Sequence, residues 1–218
     1  PRSYIFLQNK LKELLPYILE AGSEVLIKVK VDFNERYGFK LVIEDIDPTY
    51  TLGQAEMARQ RIIERLKKER LLELNGQRNM SPVLQSIAVI SSETAAGYAD
   101  FMAQLENNIY GYEIHAELFQ VAVQGRNVES DVVEAFSEIQ ANGKQYDAVT
   151  IVRGGGSKLD LAGFDNYNIG HAIAMCRLPV IIGIGHEIDS TVTDLVAQVS
   201  LKTPTAVAGY IIDRNMKY

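Results

Sequence analysis

Residues 146–160, YDAVTIVRGGGSKLD, run from an apolar stretch rich in Val and Ile into Arg153, three glycines and a helix-like segment. Three similar apolar stretches occur in the chain: QSIAVISS at 85–92, EIHAELFQVAV at 113–123 and LPVIIGIG at 178–185. The four helix-length segments that follow these stretches are 92–108, 126–142, 158–176 and 186–198. Strands that alternate with helices of this length indicate βαβ units. The sequence therefore predicts an α/β fold with a doubly wound, mainly parallel sheet.

The ends of these predicted strands are the first place to search for a site, because ligands of such sheets bind beyond the carboxyl ends of the strands. Three of the four ends carry chemically versatile residues: SSETAAGYAD, RGGGSKLD and GIGHEIDSTVTD. We expect these segments to meet at one edge of the sheet.

The glycine run after the third strand predicts an anion site. Gly154, Gly155, Gly156 and Ser157 can present successive backbone N–H groups to a phosphate, and Arg153 adds a fork of charged donors. The run matches neither a P-loop, which needs Gly-Lys-Ser/Thr, nor a dinucleotide fingerprint, since Leu159 stands where glycine or alanine is required. The alternative is a tight turn that uses glycine only for its free dihedral angles.

The end of the fourth strand offers an acid–base pair. His186 and Asp189 are three residues apart, which places them on one face of a helical turn, and a histidine there can move protons near neutral pH. The alternative is that Asp189 caps the helix STVTDLVAQV and that His186 is structural. His115 and His171 are predicted to be structural.

The segment after the first strand contributes hydroxyl groups and one carboxylate. Ser91, Ser92 and Thr94 are interpreted as donors and helix caps. Asp100 lies about two turns into the next helix, so by itself it is a solvated carboxylate. It becomes a functional candidate only if it faces the same crevice as His186.

The front of the chain follows a different pattern. Alternation in EVLIKVKV and a second run, GFKLVIEDI, predict two antiparallel strands. A helix follows and is predicted to end at a C-terminal cap, Asn75-Gly76. Its six basic residues are interpreted as a solvated helix face; phosphate tracking is the alternative. The expected organisation is a small β segment over 1–53, a connecting helix over 54–79 and an α/β domain over 80–218.

Composition limits the class of protein. The 218 residues are 47% apolar, include one cysteine and carry a formal net charge of −6. One cysteine excludes an internal disulfide framework and a cysteine-rich zinc site. The negative net charge argues against binding of nucleic acid by the overall charge of the chain. A polyanion has to be held by a local basic patch or by a part of the protein that this chain lacks. Without a signal peptide or an apolar run of spanning length, a cytoplasmic location is expected.

Four segments together carry a family resemblance: IAVISSETAAGYADF, RGGGSKLDLAGFDNY, LPVIIGIGHEIDSTVTDLVA and KTPTAVA. In this order and spacing they resemble the large subunit of exodeoxyribonuclease VII. The resemblance extends from about residue 60 to the end. It implies that the strands before residue 50 are the last part of an OB-fold domain that binds single-stranded DNA. It also implies that most of that domain, and a helical segment carrying small subunits, lie outside this chain.

The resemblance implies exonucleolytic hydrolysis of single-stranded DNA to short oligonucleotides. The family's essential positions match Asp100, Arg153, His186 and Asp189. A consistent mechanism has Arg153 and the glycine N–H groups neutralise the phosphate while His186 activates water or protonates the leaving oxygen. Asp189 or Asp100 would orient the imidazole. The four side chains are expected to converge in one crevice.

Metal dependence and catalysis itself stay open at this point. Asp100, His186 and Asp189 could bind Mg²⁺, yet the family is known for activity without divalent metal, so no cofactor is expected, Mg²⁺ is at most a stimulating ion, and no metal ligand is assigned. The rival function is a phosphate- or nucleotide-binding α/β module that does no chemistry.

Overall fold

The computed structural model describes residues 26–36, 38–154, 158–184 and 190–218. The chain falls into two compact units, Pro1–Arg61 and Ile62–Tyr218. Their boundary lies within the first helix, α1, which spans Pro48–Lys68.

The first unit contains an antiparallel hairpin of strands β1, Leu26–Asn34, and β2, Gly38–Asp47. The predicted pair of strands is confirmed, and Gly38 begins β2 at φ 72°. Apolar residues face each other across the pair, as with Phe33 and Phe39, whose ring centroids are 5.1 Å apart. Cross-strand contacts of this kind stabilise a hairpin.

The second unit contains five strands and five further α-helices among its described residues. In chain order they are β3 Ser86–Ser91, α2 Ala96–Glu106, β4 His115–Gln120, α3 Val128–Ala141, β5 Ala148–Val152, α4 Tyr167–Met175, β6 Val180–Gly183, α5 Val192–Val196, β7 Val199–Ser200 and α6 Pro204–Met216. The second unit also contains two short 3₁₀ helices, Asn75–Gln77 and Lys158–Phe164. No described helix combines the length and apolar character needed to cross a bilayer.

The five strands form one fully parallel sheet in the order β4-β3-β5-β6-β7. The predicted α/β fold with a parallel sheet is confirmed. Alternate residues of β3 pack into two separate cores, Ala88 and Ile90 on one face and Ile87 and Val89 on the other. Helices therefore cover both faces, as the continuous apolar strands require.

Each face of the sheet has its own apolar core. Phe136 of α3 is buried on one face, and Phe101 of α2 is fully buried on the other. Burying a side chain of this size contributes about 1.5–3 kcal/mol. The strands are thus held between two layers, which fixes where their carboxyl ends lie.

The predicted C-terminal cap of α1 at Asn75-Gly76 is wrong. The helix ends at Lys68, and Arg70 adopts φ 60°. The Leu71 N–H donates to Leu66 O at 2.9 Å and the Arg70 N–H to Lys67 O at 3.0 Å, which is a Schellman arrangement. A non-glycine residue takes the left-handed position here because the buried Leu66 and Leu71 fix the chain on both sides.

Asn75 has a structural role instead. Its side chain is fully buried; the amide nitrogen donates to Ile173 O and Leu178 O at 3.0 Å each. Its oxygen accepts from the N–H groups of Val180, at 2.9 Å, and Gln198, at 3.2 Å. One side chain thereby joins the end of α4, the start of β6 and the entry to β7.

Candidate active site

The direction of winding reverses between β3 and β5. From β3 the chain crosses to β4 on one side, then returns to β5 on the other and continues to β6 and β7. The helix that follows β3 packs on one face of the sheet and the helix that follows β5 on the other, an arrangement that leaves a crevice at the carboxyl edge. This is the place where an open α/β sheet binds its ligand.

A cavity of about 320 Å³ lies at this point. Its lining comes from the loops that follow three strands: Ser92, Thr94, Ala95 and Ala96 after β3, Ala122, Val123 and Gln124 after β4, and Arg153 and Gly154 after β5. The volume falls within the range of small-molecule sites. No carboxylate occurs among these described lining residues, so the polar part of the cavity suits an anion.

Arg153 is the charged residue of the cavity. Its side chain is buried, with 4% of the residue exposed, although it carries a permanent positive charge. Burial strengthens the interaction of a guanidinium with an anion that enters the cavity, because little water competes for it. The structure therefore places this predicted site residue where an anion could be bound.

The backbone around Arg153 is fixed by both neighbouring strands. The buried hydroxyl of Ser91 donates to Val152 O at 2.7 Å. The Arg153 N–H donates to Gly183 O at 3.2 Å, which joins the ends of β5 and β6. The hydroxyl of Ser91 thus has a structural role, and Ser91 is absent from the lining of the cavity.

Glycines at the same edge allow backbones to approach closely. A Cβ on Gly97 of α2 would lie 2.3 Å from Gly154 Cα and 2.8 Å from Pro204 Cγ. A Cβ on Gly183 would lie 2.8 Å from Thr203 O. No side chain fits at either position. The start of α2, the residue after Arg153, the end of β6 and the start of α6 are therefore closely packed in pairs.

Asp100 lies three residues beyond Gly97 on α2, about one helical turn from the contact with Gly154. It is exposed and is not among the residues that line the cavity. Its neighbour Tyr98 is partly buried, and burial raises the pKa of that phenol, with Glu93 and Glu106 adding to the rise.

The remaining predicted site residues, Gly155, Gly156, Ser157, His186 and Asp189, lie outside the described residues. The convergence of Asp100, Arg153, His186 and Asp189 in one crevice therefore stays a prediction. The described residues on either side show how the two segments that carry them are anchored.

The segment after Asp189 is anchored by a capping box. Thr191 is the N-cap of α5, where its hydroxyl accepts from the Asp194 N–H at 3.3 Å and the Asp194 carboxylate accepts from the Thr191 N–H at 2.8 Å. The interpretation of Asp189 as the cap of this helix is therefore wrong, because Thr191 holds that position. Asp194 also accepts from Ser200 Oγ at 2.7 Å.

A second carboxylate joins the two segments. Asp165 follows the 3₁₀ helix after the glycine run, and its Oδ1 accepts from the Val192 N–H at 2.8 Å. The chain beyond the glycines and the chain beyond Asp189 are thus connected by a direct hydrogen bond.

The family of the chain follows from comparison with known proteins. A family model described as "Exonuclease VII, large subunit" matches residues 71–218. The chain belongs to this family. Curated relatives named exodeoxyribonuclease 7 large subunit include one from Syntrophotalea carbinolica, 31% identical over 200 residues. Others come from Deinococcus radiodurans, 30% identical over 196 residues, and Lactobacillus johnsonii, 33% identical over 199 residues.

These alignments cover 91%, 89% and 91% of this chain and 49%, 47% and 43% of the three relatives, in the same order. The chain therefore spans about half the length of the curated relatives that it matches. The resemblance given by the sequence motifs is confirmed at the level of the family.

One part of the cavity was missed by sequence reasoning, and one interpretation of its residues was wrong. The loop after β4 supplies Ala122, Val123 and Gln124 to the cavity. The available signal was Gly125, which adopts φ 84° and marks a turn at the end of a predicted strand. Ser92 and Thr94 are not caps of α2, whose N-cap position is Ala95 without a side-chain hydrogen bond. Both line the cavity instead.

No cluster of three His, Cys, Asp or Glu side chains suited to a metal ion occurs within the described ranges. His115 lies in β4 and His171 in α4, both exposed. His171 packs beside Tyr167, with ring centroids 6.0 Å apart. Neither histidine lines the cavity.

Proposed function

We propose that the chain is the catalytic part of a nuclease that hydrolyses phosphodiester bonds of single-stranded DNA from its ends and releases short oligonucleotides. The observation that carries this proposal is the buried guanidinium of Arg153 in a cavity at the reversal point of the sheet. Membership of the exonuclease VII large-subunit family supports exonucleolytic cleavage as the reaction.

The role proposed for Arg153 is to neutralise the phosphate as negative charge builds up in the transition state. Its backbone N–H donates to Gly183 O and its side chain is buried, which restricts the rearrangement of the charged group during the reaction. With a net charge of −6, a polyanionic substrate has to be held by such a local positive site or by a part of the protein outside this chain.

His186 is proposed to move the proton, either from water or to the leaving oxygen, and Asp189 or Asp100 to orient its imidazole. The exclusion of Asp189 from the capping role supports this assignment, since Thr191 and Asp194 satisfy the start of α5. No metal is proposed as a requirement; Mg²⁺ is at most a stimulating ion.

The partners proposed for the complete protein are single-stranded DNA and several copies of the exodeoxyribonuclease VII small subunit, in the cytoplasm. The support is the family of the chain and the length of its relatives, about half of which lies outside this chain.

The test uses single-stranded DNA labelled at either end, the chain, and the variants Arg153→Ala and His186→Ala. We expect oligonucleotide products from the parent and a loss of about 10²–10³-fold in kcat for Arg153→Ala. Arg177→Ala is the matched control, because Arg177 is an exposed arginine that precedes β6 at the opposite edge of the sheet. It should leave the rate unchanged.

The assay is repeated on a full-length large subunit with its small subunit. Unchanged cleavage by both active-site variants would overturn the assignment of the site. Tight binding of a mononucleotide without cleavage, in both preparations, would favour the binding module that does no chemistry.

A further inference from the structure

The cavity has a second group of polar lining residues, which comes from a different strand end than Arg153 does. It is formed by the turn Ser92-Glu93-Thr94, which leaves β3, and both hydroxyl-bearing residues line the cavity. None of the four proposed catalytic residues belongs to this group. Its hydrogen bonds determine what it can offer to a ligand.

Gln120, the last residue of β4, holds the turn. Its Oε1 accepts from the Glu93 N–H at 2.8 Å, and its Nε2 donates to Ser92 Oγ at 3.2 Å. The orientation of the amide follows from the first bond, because a backbone N–H needs an oxygen acceptor. The amide nitrogen is then left to face Ser92.

The two hydroxyls are also bonded to each other, with Ser92 Oγ and Thr94 Oγ1 3.0 Å apart. The pair has two protons, and the bond between the hydroxyls uses one of them. Gln120 donates to Ser92 through its amide nitrogen, so it accepts a hydrogen bond from neither hydroxyl. Whichever hydroxyl donates to the other, one O–H remains to donate to a ligand.

The rest of the described lining consists of small aliphatic residues, Gly154 and one further polar side chain, Gln124. Ala95, Ala96, Ala122 and Val123 contribute methyl groups, and the volume of about 320 Å³ is larger than one phosphate group needs. A cavity lined by hydroxyl, guanidinium and aliphatic groups suits a phosphate that is joined to a sugar. No aromatic ring occurs in the described lining, so it offers no stacking platform that selects a base.

We propose that this cavity is a nucleotide subsite in which the hydroxyl pair of Ser92 and Thr94 donates to a phosphate of the strand, with Gln120 as its positioning residue. The inference rests on the proposed function and deepens it, since the ligand class is a nucleoside phosphate unit of the substrate. Gln120 acts through Ser92 and is not catalytic.

Binding is tested with thymidine 5′-monophosphate by isothermal titration calorimetry on the chain, with thymidine and inorganic phosphate as separate arms. The double variant Ser92→Ala with Thr94→Val removes both hydroxyls, because in a single variant the remaining hydroxyl would still have an O–H to donate. We expect affinity for the monophosphate to fall about ten- to hundredfold, since a hydrogen bond to a charged group is lost. Thr94→Ser should stay within about threefold of the parent, because it keeps the donor.

Gln120 is tested by kinetics on single-stranded DNA. Gln120→Leu should raise KM about tenfold and change kcat little, because the turn loses its support while Arg153 stays in place. Gln140→Leu is the control, since the bond that this α3 glutamine makes among the described residues is to Phe136 O within its own helix. A loss of kcat and of thermal stability, with KM unchanged, would mean that Gln120 is merely structural.

The failure of this inference is distinguishable from that of the proposed function. DNA cleavage that is insensitive to the double variant, with no binding of the monophosphate, overturns the subsite and leaves the nuclease in place. Monophosphate binding that depends on the two hydroxyls, in a chain and a full-length protein that cleave nothing, supports the subsite and overturns the nuclease. Equal affinity for thymidine and its monophosphate also overturns the subsite.

Discussion

Gly97 of α2 and Gly154 of the loop after β5 are in direct backbone contact, and a Cβ on either one would lie within 2.4 Å of the other residue. The helix that carries Asp100 and the loop that follows Arg153 are thereby fixed to each other. This contact is what joins two separate sequence motifs into one edge of the site.

Replacing Gly97 with alanine should therefore damage both stability and activity. The clash is with backbone atoms, so α2 or the glycine loop has to shift; we expect the free energy of unfolding to fall by about 1–3 kcal/mol. DNA cleavage should fall at least about tenfold, because misplacing a catalytic group by a fraction of an ångström is costly. Urea unfolding and a cleavage assay measure the two effects.

Gly209→Ala is the control for this substitution. Gly209 lies within α6, and a Cβ there would meet only the end of the Gln104 side chain at 3.5 Å. Alanine should stabilise the helix by about 0.5–1 kcal/mol. Equal effects of the two alanines would contradict the importance of the Gly97–Gly154 contact.

Asn75→Ala should be among the most destabilising changes in the second unit. It leaves two carbonyls and two N–H groups of the backbone without this partner, two of them in buried and two in partly buried bonds. We expect a loss of about 2–4 kcal/mol, measured by urea unfolding. The exposed Asn79 serves as the control, and its alanine variant should change stability by less than about 0.5 kcal/mol.

Asp194→Asn tests the anchor beside the segment that contains His186 and Asp189. An amide nitrogen in place of one carboxylate oxygen cannot accept from Thr191 or Ser200, so one side of the cluster is lost. We expect a loss of about 1–2 kcal/mol and slower DNA cleavage. Asp213→Asn, on the exposed side of α6, should change neither; cleavage unaltered by Asp194→Asn would show that this anchor does not position the site.

Glu69 should make stability depend on pH. The Tyr167 hydroxyl donates to its carboxylate at 2.5 Å, and the Arg65 Nε donates at 3.1 Å; together they lower the pKa of Glu69. A lowered pKa contributes stability above the usual value of about 4.3, and that contribution is lost as pH falls through the folded-state pKa.

The matching variant is Glu69→Gln, and the measurement is the melting temperature between pH 6 and about pH 3. The parent should lose more stability on acidification than the variant does, and added salt should reduce the difference because the cluster is exposed. Glu73→Gln is the control on the same segment. Parallel pH profiles of the parent and Glu69→Gln would refute the coupling.

The fold was predictable because the apolar pattern of each central strand can be read within a short window of sequence. The strands β3, β5 and β6 are runs of Val and Ile buried on both faces, and such runs stand out in any window. By contrast β7 has two residues, Val199 and Ser200, which is too short for a periodic pattern. The helix α6 was missed although Thr203 and Pro204 are a typical N-cap and first helical residue.

The lining of the cavity was predictable where residues follow a strand directly, as Arg153 and Gly154 do. It was not predictable where strand order matters, because nothing local in the sequence says that β4 lies beside β3 on the far side from β5. Gln120 and the loop after it were missed for this reason. Asn75 was misinterpreted because its four partners lie 98 to 123 residues further along the chain.

That distance in sequence has a consequence for the order of folding. The N–H groups of Val180 and Gln198 are bonded to the same side-chain oxygen, and neither bond can form until Asn75 has been enclosed by α4, β6 and the entry to β7. Hydrogen exchange at these two amides should therefore be slow and concerted, with both exchanging in the same opening event. The exchange rates of these two amides would measure how often the packing of α4, β6 and β7 around Asn75 opens.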